Sequence, residues 1–348
     1  MNFDLPIFFK RNRVFRVYKG GMLFNDLLGD IKEDGNYPEE WICSNVHAIN
    51  DGHDDPLEGI SISEDGIPFS TLINENKKEM LGNRDNLGVL VKYLDSAIRL
   101  PMQVHPSRDF SRKYFNSNYG KAEAWLILAT RENACLYLGF SKKITKEEFS
   151  KAVDESEKNP DIMTNFVNKI PVKPGDVYFV NARVIHAIGA GCLILEIQEP
   201  TDFTIQPEYY CGDYRLNDKE MYLGLGKDVA LSCFDYSLYG KDVVKNAHKE
   251  PKIISNNNNN VLVESLISSS DTTCFEMTRY TIKNSSYLLE DKAAIYIVVD
   301  GEGTITSKNY ERKIKKGDYF FLPYNASMKN YVNSTTSITL VCCKGGKE

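Results

Sequence analysis

Apolar and polar residues follow one another along this chain in short alternating blocks, which predicts strands over most of its length. Residues 88–94 (Gly-Val-Leu-Val-Lys-Tyr-Leu) form one such block, and residues 38–44 enter another from a proline turn. A short helical pattern covers residues 23–28. Residues 45–66, rich in Asp, Gly and His, predict a polar loop with His47 and His53 solvated. The β pattern breaks over residues 141–170. There Thr145-Lys146-Glu147-Glu148 predicts a helix start, and a second short helix is expected over 161–167. From residue 171 the chain returns to β. The asparagine run at 256–260, with residues 245–252, predicts a linker or long exposed loop, and residues 261–343 are again almost wholly β-like.

Two stretches repeat. Lys173-Pro174-Gly175-Asp176-Val177-Tyr178-Phe179-Val180 aligns with Lys315-Lys316-Gly317-Asp318-Tyr319-Phe320-Phe321-Leu322 at an offset of 142. Lys121-Ala122-Glu123-Ala124-Trp125 aligns with Lys292-Ala293-Ala294-Ile295-Tyr296 at an offset of 171. The offsets differ by 29, close to the length of the helical piece at 141–170. One β unit therefore occurs twice, its first copy carrying a helical insertion. The expected fold is mainly β, with two jelly-roll domains at 1–245 and 246–348. Glu123 falls opposite Ala294 and His186 opposite Met328, so the second copy holds apolar residues where the first holds metal-ligand types.

Those types converge on one stretch. Gln103 and His105 lie two apart, which on a strand turns both to one face, and Lys121 and Glu123 share that spacing. A Gln, a His and a Glu with a further His would suit a divalent metal such as Zn²⁺. A net charge of −6 with no basic block argues against general nucleic-acid binding. No uncharged apolar run is long enough to span a bilayer. Eight cysteines without a Cys-x-x-Cys pair fit free thiols in a reducing, cytoplasmic setting.

Gln103-Val104-His105-Pro106, then Lys121-x-Glu123, then a Gly-Asp strand ending in His186, resembles class I mannose-6-phosphate isomerase, a family of zinc enzymes built from cupin-type jelly rolls. The likeness extends to residues 40–44, 92–95 and 195–198. It implies one zinc per chain held by Gln103, His105, Glu123 and His186, with Lys121 beside the substrate and Glu196 as an acid following the ligand histidine. The implied reaction interconverts mannose 6-phosphate and fructose 6-phosphate through an enediol. Arg183, Arg99 and Lys92 are candidates for the phosphate. The chain departs from the family at Pro101-Met102, where a hydroxyl residue is usual, and at Gln206, which stands where the family carries an active-site arginine. The alternative is a cupin that binds a sugar or sugar phosphate without turnover, or with another substrate. Whether the chain is a monomer or a homodimer is left open by the sequence.

Overall fold

The computed structural model describes residues 1–257 and 260–346. Its strands are β1 (Ile7–Phe8), β2 (Arg13–Val14), β3 (Glu39–Ile42), β4 (Leu90–Ser96), β5 (Glu123–Thr130), β6 (Cys135–Phe140) and β7 (Val167–Pro171). They continue with β8 (Val177–Val180), β9 (His186–Ile188), β10 (Cys192–Gln198), β11 (Tyr210–Cys211), β12 (Tyr214–Arg215), β13 (His248–Lys249) and β14 (Lys252–Asn257). The last are β15 (Val261–Ile267), β16 (Phe275–Leu288), β17 (Ala294–Ser307), β18 (Tyr310–Lys315), β19 (Tyr319–Leu322) and β20 (Tyr331–Gly345). Short helices lie between them: α1 (Phe24–Leu28), α2 (Phe69–Glu75), α3 (Lys77–Leu81), α4 (Arg108–Phe115), α5 (Lys146–Glu155), α6 (Asp218–Tyr222), α7 (Lys227–Leu231) and α8 (Lys241–Ala247).

Two large antiparallel sheets carry the molecule. One runs β13-β8-β5-β10-β4-β3-β2; the other runs β1-β19-β17-β20-β16-β15-β14, with β18 alongside β17. The two orders match strand for strand, and the register repeats with them. Glu123 pairs with Val180 and Trp125 with Tyr178 in the first sheet. Ala294 pairs with Leu322 and Tyr296 with Phe320 in the second. These are the pairs that the offsets 171 and 142 equate, so the internal repeat is structural.

Alternation along β5 explains the layering. Ala124 and Leu126 turn toward the second sheet, into a core shared with Phe275, Ile295, Phe321 and Val341. Trp125 and Ile127 turn the other way, against Leu136 and Leu138 of the small sheet β7-β6-β9, and so fill the first jelly roll. The insertion behaves as expected: Thr145 and Glu148 form a capping box on α5. The second short helix is a 3₁₀ turn, Ile162–Phe166.

Two expectations are corrected. Residues 252–257 are not linker but the edge strand β14, paired with β15; the exposed Lys and Asn side chains hid it, because an edge strand needs few apolar residues. Of the asparagine run, residues 258 and 259 lie outside the described residues. Ala294 does fill the second roll, fully buried, but Met328 is 57 % exposed at φ 61°, so it does not replace His186 in that interior. All eight cysteines are free, and no described helix is long and apolar enough to cross a membrane.

Candidate metal centre and its cavity

His105, Glu123 and His186 meet in the first jelly roll, all buried, with one donor atom of each within 4.8 Å of the others. Glu123 opens β5 and His186 opens β9, while Gln103 bridges His186 in backbone register through N–H···O bonds of 2.8 and 2.9 Å. The expected alternation holds: Val104 points into the helical layer while Gln103 and His105 face the site. Glu123 Oε2 lies 3.1 Å from His105 Nε2, and Oε1 lies 3.2 Å from His186 Nε2. The carboxamide of Gln103 ends 3.3 Å from His186 Nε2.

Each histidine is oriented from behind. His105 Nδ1 donates to the Phe203 carbonyl at 2.9 Å and His186 Nδ1 to the Val184 carbonyl at 2.8 Å. A carbonyl only accepts, so both rings direct the Nε2 lone pair into the site. Burial and the nearby Lys121 lower His105 to about 3, so its imidazole is neutral at pH 7. Burial opposes ionisation of Glu123, but His105, His186 and Lys121 hold it well below the usual carboxylate range. Neutral imidazole and ionised carboxylate are the protonation states a divalent metal requires. His105 Nε2 is buried without a hydrogen-bond partner, which a metal would supply. The donor set therefore fits Zn²⁺.

A cavity of about 630 Å³ opens over these groups. On its wall a chain of alternating charge runs Asp202–Arg16–Glu39–Lys92–Glu196. Arg16 reaches Asp202 at 3.0 Å and Glu39 at 3.1 Å, and Lys92 stands 3.5 Å from both Glu39 and Glu196. Burial raises Glu196 to about 8, with Lys92 opposing. Glu39 is held well down despite burial by Arg16 and Lys92. Burial lowers the Lys121 ammonium, which sits 3.8 Å from Glu123 and 3.4 Å from the Thr204 hydroxyl.

Gln103, Lys121, Glu123, Glu196 and Gln206 all line the cavity, and Lys92 does so too. Arg183 does not. Its guanidinium donates to the carbonyls of Cys233 and Phe234 at 3.1 and 3.3 Å, which holds it against backbone rather than in the cavity lining. Arg99 pairs with Glu208 and Arg215 with Glu157, and neither lines the cavity. Sequence reasoning missed Arg16, Tyr18, Asn50 and Asp202, which arrive from separate segments. It also missed His53, which stacks on Phe15 at the cavity edge.

The family model of the mannose-6-phosphate isomerase cupin domain matches residues 269–341. Mannose-6-phosphate isomerase ManA of Bacillus subtilis is 30% identical over 246 residues, 69% of this chain and 70% of that protein. The mannose-6-phosphate isomerase of Streptococcus mutans is 26% identical over 325 residues, 91% of this chain and 92% of that one. A crystal structure of the mannose 6-phosphate isomerase from Bacillus subtilis superposes with a TM-score of 0.76 at 23% identity, covering 97% of this chain and 99% of its own. A mannose 6-phosphate isomerase bound with zinc and yttrium gives 0.72 at 15% identity, covering 98% of this chain and 100% of its own.

Proposed function

The chain belongs to the mannose-6-phosphate isomerases, an aldose–ketose isomerase family, and from that premise we propose that it interconverts mannose 6-phosphate and fructose 6-phosphate with one zinc per chain. His105, Glu123 and His186 would hold the metal, with Gln103 as the fourth side chain. The observation that carries this reading is a buried His-Glu-His cluster whose glutamate lines one cavity with Gln103, Lys121 and Glu196. When bound, zinc supplies Lewis-acid stabilisation of the negative charge that develops on the sugar's carbonyl and hydroxyl oxygens.

The remaining work falls to side chains. The C2–H bond of the aldose breaks and its proton passes to a base; O1 gains a proton as the enediol forms; the carbon proton then returns to C1 as O2 loses its own. A group that both takes and returns a proton needs a pKa near the working pH. Burial brings Glu196 to about 8, and Lys92 keeps its carboxylate form within reach. Lys121, deep beside Thr204, is positioned to hydrogen-bond the sugar oxygens that exchange the second proton. Gln206 offers a neutral donor, and its Nε2 already reaches the Glu220 carbonyl at 3.3 Å.

A coupled assay for fructose 6-phosphate formation, run on protein whose zinc content has been measured, tests the reading. Zinc-loaded protein that yields no fructose 6-phosphate from mannose 6-phosphate rejects it.

A further inference from the structure

Four cations line the cavity among the described residues: Arg16, Lys92, Lys121 and Lys219. Lys92 and Lys121 are buried, Arg16 is largely so, and all three are already committed. Arg16 serves Asp202 and Glu39, Lys92 stands between Glu39 and Glu196, and Lys121 faces Glu123. A phosphate dianion placed among them would also meet the carboxyl groups of Glu39, Glu123 and Asp202, and like charge in a buried site is costly.

Lys219 differs in its exposure: it too is paired with a carboxylate, but outside the buried network. It rises from α6 with its side chain 71% exposed, and its ammonium lies 2.6 Å from the Asp51 carboxylate. Asp51 belongs to the polar loop that also lines the cavity, and Asn217 Nδ2 donates to its other oxygen at 3.1 Å. The pair therefore lies on the solvent-exposed part of the cavity lining. The wall beneath is fixed to the same helix: Gln206 donates its backbone N–H to the Met221 carbonyl at 3.0 Å and its side chain to the Glu220 carbonyl. An exposed ion pair of this kind adds little stability and exchanges readily. A phosphate makes stronger charge-assisted hydrogen bonds than it costs to displace one such carboxylate.

We propose that Lys219 is the phosphate anchor of this site, its ammonium passing from Asp51 to the phosphate of the incoming sugar. The sugar then enters with C1 and C2 foremost, toward Glu123 and Glu196, and its phosphate stays at the exposed part of the lining. This rests on the isomerase reading above. It also assigns Asp51 a role opposite in sign, as the competitor that phosphate must displace.

Lys219→Gln and Asp51→Asn test it together. Lys219→Gln raises KM for mannose 6-phosphate about tenfold and the inhibition constant of inorganic phosphate about as much, while kcat falls less than about threefold. Asp51→Asn lowers both constants about two- to fivefold. Both positions are at the surface, so zinc content and melting temperature serve as controls for folding. If Lys219→Gln leaves both constants within about twofold of wild type, or Asp51→Asn raises them, the anchor is overturned. If the wild type binds mannose 6-phosphate without turnover, the isomerase reading fails, and calorimetric titration with that sugar phosphate decides the anchor alone. About tenfold weaker binding by Lys219→Gln upholds it, and equal binding overturns it.

Discussion

Glu196 is buried with Lys92 3.5 Å away and Lys121 in the same cavity, and this gives it a measurable pH signature. Its folded pKa of about 8 lies above the unfolded value of about 4.5. The folded state therefore binds more protons than the unfolded state between those values, and stability falls as pH rises across that window. Glu196→Gln removes the dependence. In zinc-free protein, the unfolding free energy of the variant in denaturant should gain on wild type from pH 5 to pH 9, by an amount on the order of a few kcal/mol at the upper end. A difference that stays flat with pH would show that Glu196 titrates normally. At the metal centre, Glu123→Ala should reduce bound zinc at least about tenfold by elemental analysis, since it leaves two imidazoles without their shared carboxylate. The ligand candidates were legible in the sequence because each sits in a short local motif. Arg16, Asn50 and Asp202 were not, because what joins them is the meeting of three distant segments around one guanidinium.

At the scale of elements, α5 announced itself: Thr145 and Glu148 satisfy each other's backbone N–H groups, as their spacing predicted. Thr145→Ala should cost about 1 kcal/mol in chemical denaturation. The strands of the repeat were legible for a similar reason, since the Gly-Asp turns fix where β8 and β19 begin. Edge strand β14 escaped notice, having exposed polar residues on a backbone held only from one side. The two interiors also differ in what they accept. Ala294 is fully buried among Tyr296, Phe320 and Leu322. Ala294→Glu copies Glu123 into a roll with no histidine in that interior cluster, and should cost on the order of 3 kcal/mol or more in denaturant unfolding without adding a second zinc.

The whole molecule is bound by what its two sheets share. Their facing sides form one core, and each sheet takes its outermost strand from an unexpected place. The second sheet ends on β1 from the chain's start, and the first ends on β13 from just before the second begins. A fragment of residues 246–348 lacks β1 and bares the shared face. Expressed alone, it should give poorly dispersed NMR spectra; a sharp, folded spectrum would contradict this account. The reach of that pairing was not legible in the sequence, because a two-residue strand such as Ile7–Phe8 carries no period of its own.

Ile7 pairs with Phe321 and Phe8 with Phe320. Residues 7 and 8 are synthesised roughly half a minute before their mates, at translation rates of about 5–20 residues per second. During that interval the amino-terminal segment is an open invitation to proteases and chaperones. A sheet whose other strands are made late in synthesis is sealed by residues made long before them.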